Sequence, residues 1–347
     1  MNAKGQKLTD WVINKIKTEY KDDVCLLLGH TTLKLEKDMA EAPFSYYVPA
    51  SERALGLART FIIDGIGYDL FPMSWERIEK LADLTNTNTN SLDTARILYA
   101  RSEADKNRYI ALQTKLQSNL NDPKYRLNKA LEKLNIAMEI YQTMQFEETL
   151  YKVRKAAGHI ALYLATAVAT VNQTYFYKEG HTSLIADLAT MPDTPKNFIG
   201  LYEAIVKAGS SEELKKLCYE MIYNTRQFLS AKKGTREKGD YNRNFKDLAS
   251  WYQELIYTWR RVYHFCDEND PVRGFSWGCF LQSELDIVRE EFGLDEMDLM
   301  GVFKASNMAA YRKRAEELEK KIVSVIEEHG VAIDQYDSVE DFLKKNG

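Results

Sequence analysis

Apolar positions recur with different periods along this chain, and the change of period divides it. Leu8, Trp11, Val12 and Ile16 stand at helical spacing, with Thr9 and Asp10 available as caps, and predict a helix over residues 8–19. Val24-Cys25-Leu26-Leu27-Leu28 is a continuous apolar run stopped by Gly29, the pattern of a strand buried on both faces. Phe44-Ser45-Tyr46-Tyr47-Val48, stopped by Pro49, predicts a second strand. Two further runs, Thr60 to Ile63 and Ile66 to Phe71, flank Asp64-Gly65, a dipeptide that favours the positive φ angles of a tight hairpin turn. Ser74 then caps a helix from Trp75 to Leu84.

The alternation stops near residue 85. Thr85 to Ser91 is a run of Thr, Asn and Ser, poor in core-forming residues, and reads as a polar linker. Beyond it the pattern is helical throughout and predicts no strand. The clearest helices cover about 102–119, 123–145, 147–173, 195–208, 211–231, 244–266, 280–291 and 307–329. The segment 147–173 is the most apolar, with Ala156, Ala157, Ala161, Ala165 and Ala167 among larger residues. Small side chains let helices approach closely, so this segment is expected at the centre of a bundle. The charged helix 307–329 carries a thin apolar stripe and is expected on the bundle surface. Phe275-Ser276-Trp277-Gly278 reads as a packing loop.

With 347 residues, 45% of them hydrophobic, the chain is long enough for about two domains with a sizeable core and no need of disulfides. The net charge of −4 argues against a generally basic surface for nucleic acid. Cys25, Cys218, Cys266 and Cys279 form no CxxC pair and read as free thiols. The segment Met1 to Lys7 has no apolar signal core behind it, and no window reaches the length of a membrane span. A cytoplasmic location without membrane partners is therefore expected. No P-loop, GxSxG elbow, HExxH or Rossmann glycine motif occurs, which removes the enzyme classes that depend on them.

The order of elements before residue 85 (helix, buried strand ending in glycine, second strand, hairpin carrying an aspartate) resembles the nucleotidyltransferase superfamily, in its antibiotic-adenylyltransferase-like branch. The resemblance implies an α+β fold: a small N-terminal mixed-sheet domain over residues 1–85 and a larger all-α helical bundle over residues 86–347. It also implies Mg²⁺-dependent transfer of a nucleoside monophosphate from an NTP to an acceptor hydroxyl. In that family carboxylates hold Mg²⁺ against the phosphates, and the small residues after the first strand let backbone amides approach them. Leu26-Leu27-Leu28-Gly29 fits the first strand, with His30 where Ser is usual and Thr31 and Thr32 behind it. Gly29, His30 and Thr31 are then the nucleotide-binding candidates. The DxD slot falls on Glu41-Ala42-Pro43, so Glu41 is its single acid, with Asp38 three residues earlier. Asp69, in Gly67-Tyr68-Asp69-Leu70-Phe71, stands where the third carboxylate belongs. Asp38, Glu41 and Asp69 are the candidate catalytic and metal-binding residues. The incomplete DxD leaves two readings open: an active transferase, or a catalytically degenerate nucleotide-binding or scaffolding relative. A purely helical interaction protein, with the N-terminal strands as a mere cap, is a third.

In the helical part, Arg154 and Asn172, within and at the end of the most apolar helix, are candidate substrate contacts. Arg154 and His159 resemble the Arg–His signature of HEPN-type domains, yet five residues place them about 140° apart around a helix, so they share no face. Trp251, Tyr252, Tyr257, Trp259 and Tyr263, with Arg260, Arg261 and His264, suit either a bundle core or the stacking of a base or sugar.

Overall fold

The computed structural model describes residues 3–29, 44–86, 88–176, 184–232 and 241–346. The chain forms two compact units, Met1–Gly234 and Thr235–Gly347.

The first unit opens with α1 (Ala3–Glu19), β1 (Val24–Gly29) and β2 (Tyr46–Pro49), then the hairpin β3 (Arg59–Ile63) and β4 (Ile66–Pro72). The helices α2 (Trp75–Ala82) and α3 (Asn90–Asp93) lead to β5 (Arg96–Ala100). The five strands make one sheet in the order β3-β4-β2-β1-β5. It is mixed: β2 and β4 run parallel, and the other neighbours are antiparallel. Every residue of β1 is buried. Leu26 and Leu28 pack with Tyr46, α2 and the later helix α4 (Glu103–Asn121), whereas Val24 and Leu27 pack with Tyr47, Leu70 and α1. A run without polar positions is therefore what this strand requires, because both its faces are covered. At the hairpin, Asp64 and Gly65 both have positive φ, 51° and 75°, the geometry of a two-residue turn between the paired Ile63 and Ile66.

Two features depart from the sequence pattern. The strand β5 lies beyond the polar linker, where no strand was expected. It is a short edge strand with an exposed first residue and four half-buried ones, so it has no strong period of its own and is defined by pairing with β1. The linker itself is partly internal: Thr89 and Asn90 are buried, and Asn90 starts α3.

The rest of the first unit is helical: α4, α5 (Pro123–Gln145), α6 (Leu150–Val171), α7 (Leu184–Thr190), α8 (Phe198–Lys207) and α9 (Ser211–Lys232). The helix α6 is the centre expected of it. Ala157, Ala161, Ala165 and Ala169 are all buried, within a core shared with α5, α8 and α9. Gly158 sits on its outer face, where an added Cβ would meet nothing within 4 Å. Gly158→Ala is accordingly expected to stabilise the protein by about 0.5–1 kcal/mol through the lower helix propensity of glycine. Thermal denaturation checks this, and a loss of stability would mean the outer face is covered.

The second unit contains α10 (Phe245–Asp267), α11 (Pro271–Phe292), α12 (Met308–Glu328) and α13 (Val339–Asn346). The helix α12 is less peripheral than its charge suggested: Met308, Tyr311, Ala315, Leu318, Ile322 and Ile326 form a buried seam in the core. The presumed loop 275–278 is helical. It lies within α11, which starts at Pro271 with Asp270 accepting from the Arg273 amide. Gly274 and Gly278 are buried contact points within it. Among the described residues no helix is long and apolar enough to cross a membrane.

Candidate functional site

The sheet brings one group of the expected residues to a common level. Gly29 closes β1 and pairs with Arg96, the first residue of β5. On its other side Leu28 pairs with Tyr46, and the Ser45 amide donates to the Leu28 carbonyl at 2.8 Å. In the parallel pair Tyr46 lies beside Phe71, so Asp69, two residues earlier on β4, is level with Phe44, just before β2 begins. The exit of β1, the entry of β2, Asp69 and the start of β5 therefore lie at one end of the sheet. Gly29 and Asp69 are two strand spacings apart, about 10 Å.

Strand alternation sets the face. Leu70 packs toward α1 and Phe71 toward α2 and α4, so Asp69 shares the face of Phe71. The Asp69 carboxylate is exposed and accepts from the Thr60 hydroxyl at 3.0 Å across the hairpin. Arg96 is exposed as well; its neighbour Ile97 packs toward α2 and α4, so Arg96 stands on the opposite face of the sheet at the same end. Below this rim the entry of β2 is anchored by Tyr46, whose fully buried hydroxyl donates to the Ser91 carbonyl at 2.8 Å and lies 3.0 Å from the Tyr109 hydroxyl. Burial pushes the Tyr46 phenol well above its ordinary pKa, with the neighbouring Tyr109 adding to the shift. It stays a neutral structural anchor beneath the rim.

His30, Thr31, Asp38 and Glu41 lie outside the described residues. Among the described residues no three His, Cys, Asp or Glu side chains gather closely enough to hold a metal ion. Asp69 is the one expected Mg²⁺ ligand among them, and one of its oxygens already accepts from Thr60. A lone exposed carboxylate does not make a magnesium site.

The two candidates on the central helix have structural partners. Arg154 is on the exposed side of α6 rather than turned into the apolar interior, and donates to the Ala208 carbonyl at the end of α8 at 3.0 Å. The Asn172 amide donates to the carbonyls of Val168 and Asp193 at 2.8 and 2.7 Å, and its oxygen accepts from the Asp193 amide at 3.2 Å. It ties the end of α6 to the loop before α8. His159 is exposed on α6, as Arg154 is.

No family model and no curated protein matches this chain. Among solved structures, it is similar to a nucleotidyltransferase-like protein from Exiguobacterium sibiricum 255-15, with a TM-score of 0.36 and 10% identity over 91% of each chain. Arg96 is the residue of the sheet end that the sequence pattern did not bring forward. Its signal was faint: a single cation before a short apolar run, in a region that otherwise read as helical.

Proposed function

We propose that the N-terminal sheet is a nucleotidyltransferase-like module whose end at Gly29, Asp69 and Arg96 receives a nucleoside triphosphate. The observation that carries this is the register of the sheet. The exit of β1 at Gly29 is close to the level of the strand residue Asp69, and Arg96 pairs directly with Gly29. A glycine at a strand exit leaves room for phosphate oxygens beside the backbone. An exposed arginine next to it offers a planar set of donors suited to bind them. On this reading the acceptor hydroxyl would attack the α-phosphorus of the NTP and release pyrophosphate, and Asp38, Glu41 and Asp69 would hold the Mg²⁺ that neutralises the phosphates. The second reading is a nucleotide binder without transfer. It is favoured by His30 in place of the usual Ser and by the single acid of the Glu41-Ala42-Pro43 slot.

Titration calorimetry of an NTP panel, with and without Mg²⁺, tests both readings. Arg96→Ala is expected to weaken binding by about tenfold, the loss of one charge-assisted contact. Asp69→Ala is expected to remove any gain in affinity conferred by Mg²⁺. If Mg²⁺ confers no gain on the wild type, the non-catalytic reading stands. If no NTP binds under any condition, both readings fail.

A further inference from the structure

The second unit carries a groove that the proposed nucleotide site does not explain. It lies between α10 and α11, has a volume of about 630 Å³, and is lined by Glu254, Leu255, Thr258, Arg261, Trp277 and Phe280 among others. That volume is in the range of small-molecule sites. The aromatic helix α10 divides between two environments. Tyr252, Trp259 and Tyr263 are buried in the core, whereas Tyr257 is exposed and Arg261 opens to the groove.

Two side chains there have unspent hydrogen-bonding capacity. The Arg261 guanidinium lies between two rings, 4.4 Å from the Tyr257 centroid and 4.2 Å from that of Trp277. It thus makes two cation–π contacts, and its donors make no hydrogen bond or ion pair among the described residues. The other arginines of α10 to α12 behave differently: Arg260, Arg273, Arg289, Arg312 and Arg314 each pair with a carboxylate.

Thr258 is the second. It is 6% exposed, yet its hydroxyl makes no hydrogen bond among the described residues. The other buried threonines, Thr9, Thr89, Thr166, Thr170 and Thr225, each donate to a backbone carbonyl. The Thr258 hydroxyl is not sealed from solvent: it lines the groove and is open there to a ligand.

We propose that this groove binds a small planar aromatic molecule carrying a carboxylate or phosphate. The anion accepts from the edge of Arg261, which the two rings hold in place before the ligand arrives, so little side-chain freedom is lost on binding. The ring of the ligand packs against Trp277, Phe280 and Leu255. The Thr258 hydroxyl donates to an oxygen or ring nitrogen of the ligand.

The test is calorimetric titration of the full chain with naphthoate, AMP, uncharged naphthylmethanol and inorganic phosphate. Naphthoate, AMP or both are expected to bind saturably, and naphthylmethanol and phosphate about tenfold more weakly or not at all. Binding of AMP alone assigns a nucleotide-like ligand, and binding of naphthoate alone an aryl carboxylate. Arg261→Met keeps the apolar stem and is expected to cost about tenfold, while the isosteric Thr258→Val is expected to cost about threefold. The proposal is overturned by no binding of either aromatic anion, by equal binding of inorganic phosphate, or by unchanged affinity in Thr258→Val, which tests the groove whether or not Arg261→Met folds. AMP binding that is lost in Arg96→Ala but kept in Arg261→Met belongs to the sheet end, and also overturns it.

Discussion

Replacing Gly278 by alanine is expected to destabilise the protein by about 2–4 kcal/mol. Gly278 is buried in α11, and a Cβ at this position would overlap the Tyr311 hydroxyl of α12 and lie 2.9 Å from Met300 Sδ. Tyr311 cannot easily withdraw. It is fully buried, its hydroxyl is 3.4 Å from Met300 Sδ, and its ring meets Phe303 edge-on. The added methyl therefore has to move a helix or force a strained rotamer, and interiors packed to crystal density yield to neither cheaply. Gly274, one turn earlier, provides the contrast. Its added Cβ would lie 2.7 Å from Met308 Cε, the free end of a flexible side chain, so Gly274→Ala is expected to cost under about 1 kcal/mol. Urea denaturation of both variants measures the difference. Adding Tyr311→Phe to Gly278→Ala should recover part of the loss by removing the overlapping oxygen, although the ring carbon Cζ remains 2.9 Å away. Equal, small effects at both glycines would show that the α11–α12 spacing does not depend on Gly278.

Lys133 is expected to make stability rise with pH in the alkaline range. It lies on α5, 4% exposed, with its ammonium donating to the Leu84 carbonyl and no carboxylate paired to it among the described residues. Burial pushes its pKa from the ordinary 10.5 down to about 8, a shift that Glu132 opposes and Lys129 reinforces. Below about pH 8 both the folded and the unfolded chain carry the proton, and the folded state bears the full cost of burying it. Between about 8 and 10.5 the unfolded chain binds more protons than the folded one, so stability increases as pH rises through this window. At about 1.4 kcal/mol per pH unit the gain approaches 3 kcal/mol. Lys133→Met should abolish it. The measurement is the difference in unfolding free energy between wild type and Lys133→Met from pH 7 to 10.5, in which tyrosine ionisation common to both cancels. A difference that stays constant across this range would show that Lys133 titrates at its ordinary value.

The candidate site was legible in outline and not in its assembly. Gly29 and Asp69 stand out along the chain because a glycine ends a wholly apolar run and an aspartate interrupts a hairpin strand. That they share one end of a sheet depends on β2 pairing antiparallel with β1 and parallel with β4, a long-range choice that spacing does not reveal. Arg96 was hidden for the same reason: its place beside Gly29 exists only once β5 has joined the sheet. In the second unit the aromatic helix suited either a bundle core or a stacking surface in sequence, and packing separated Trp259 in the core from Arg261 at the groove.

By itself the sequence determined those elements whose cause is local. The unbroken apolar run of β1, the positive-φ turn at Asp64-Gly65 and the helical period of α5, α6 and α9 each follow from neighbours within a few residues. The tertiary structure decided whatever needed a distant partner. It made a strand of Arg96–Ala100 by offering the free edge of β1, and it carried α11 through two glycines by packing them against Met308 and Tyr311. It also enclosed Lys133 beneath Leu84. Periodicity records which face of an element is apolar, whereas burial and pairing are settled by which other surface comes to cover it.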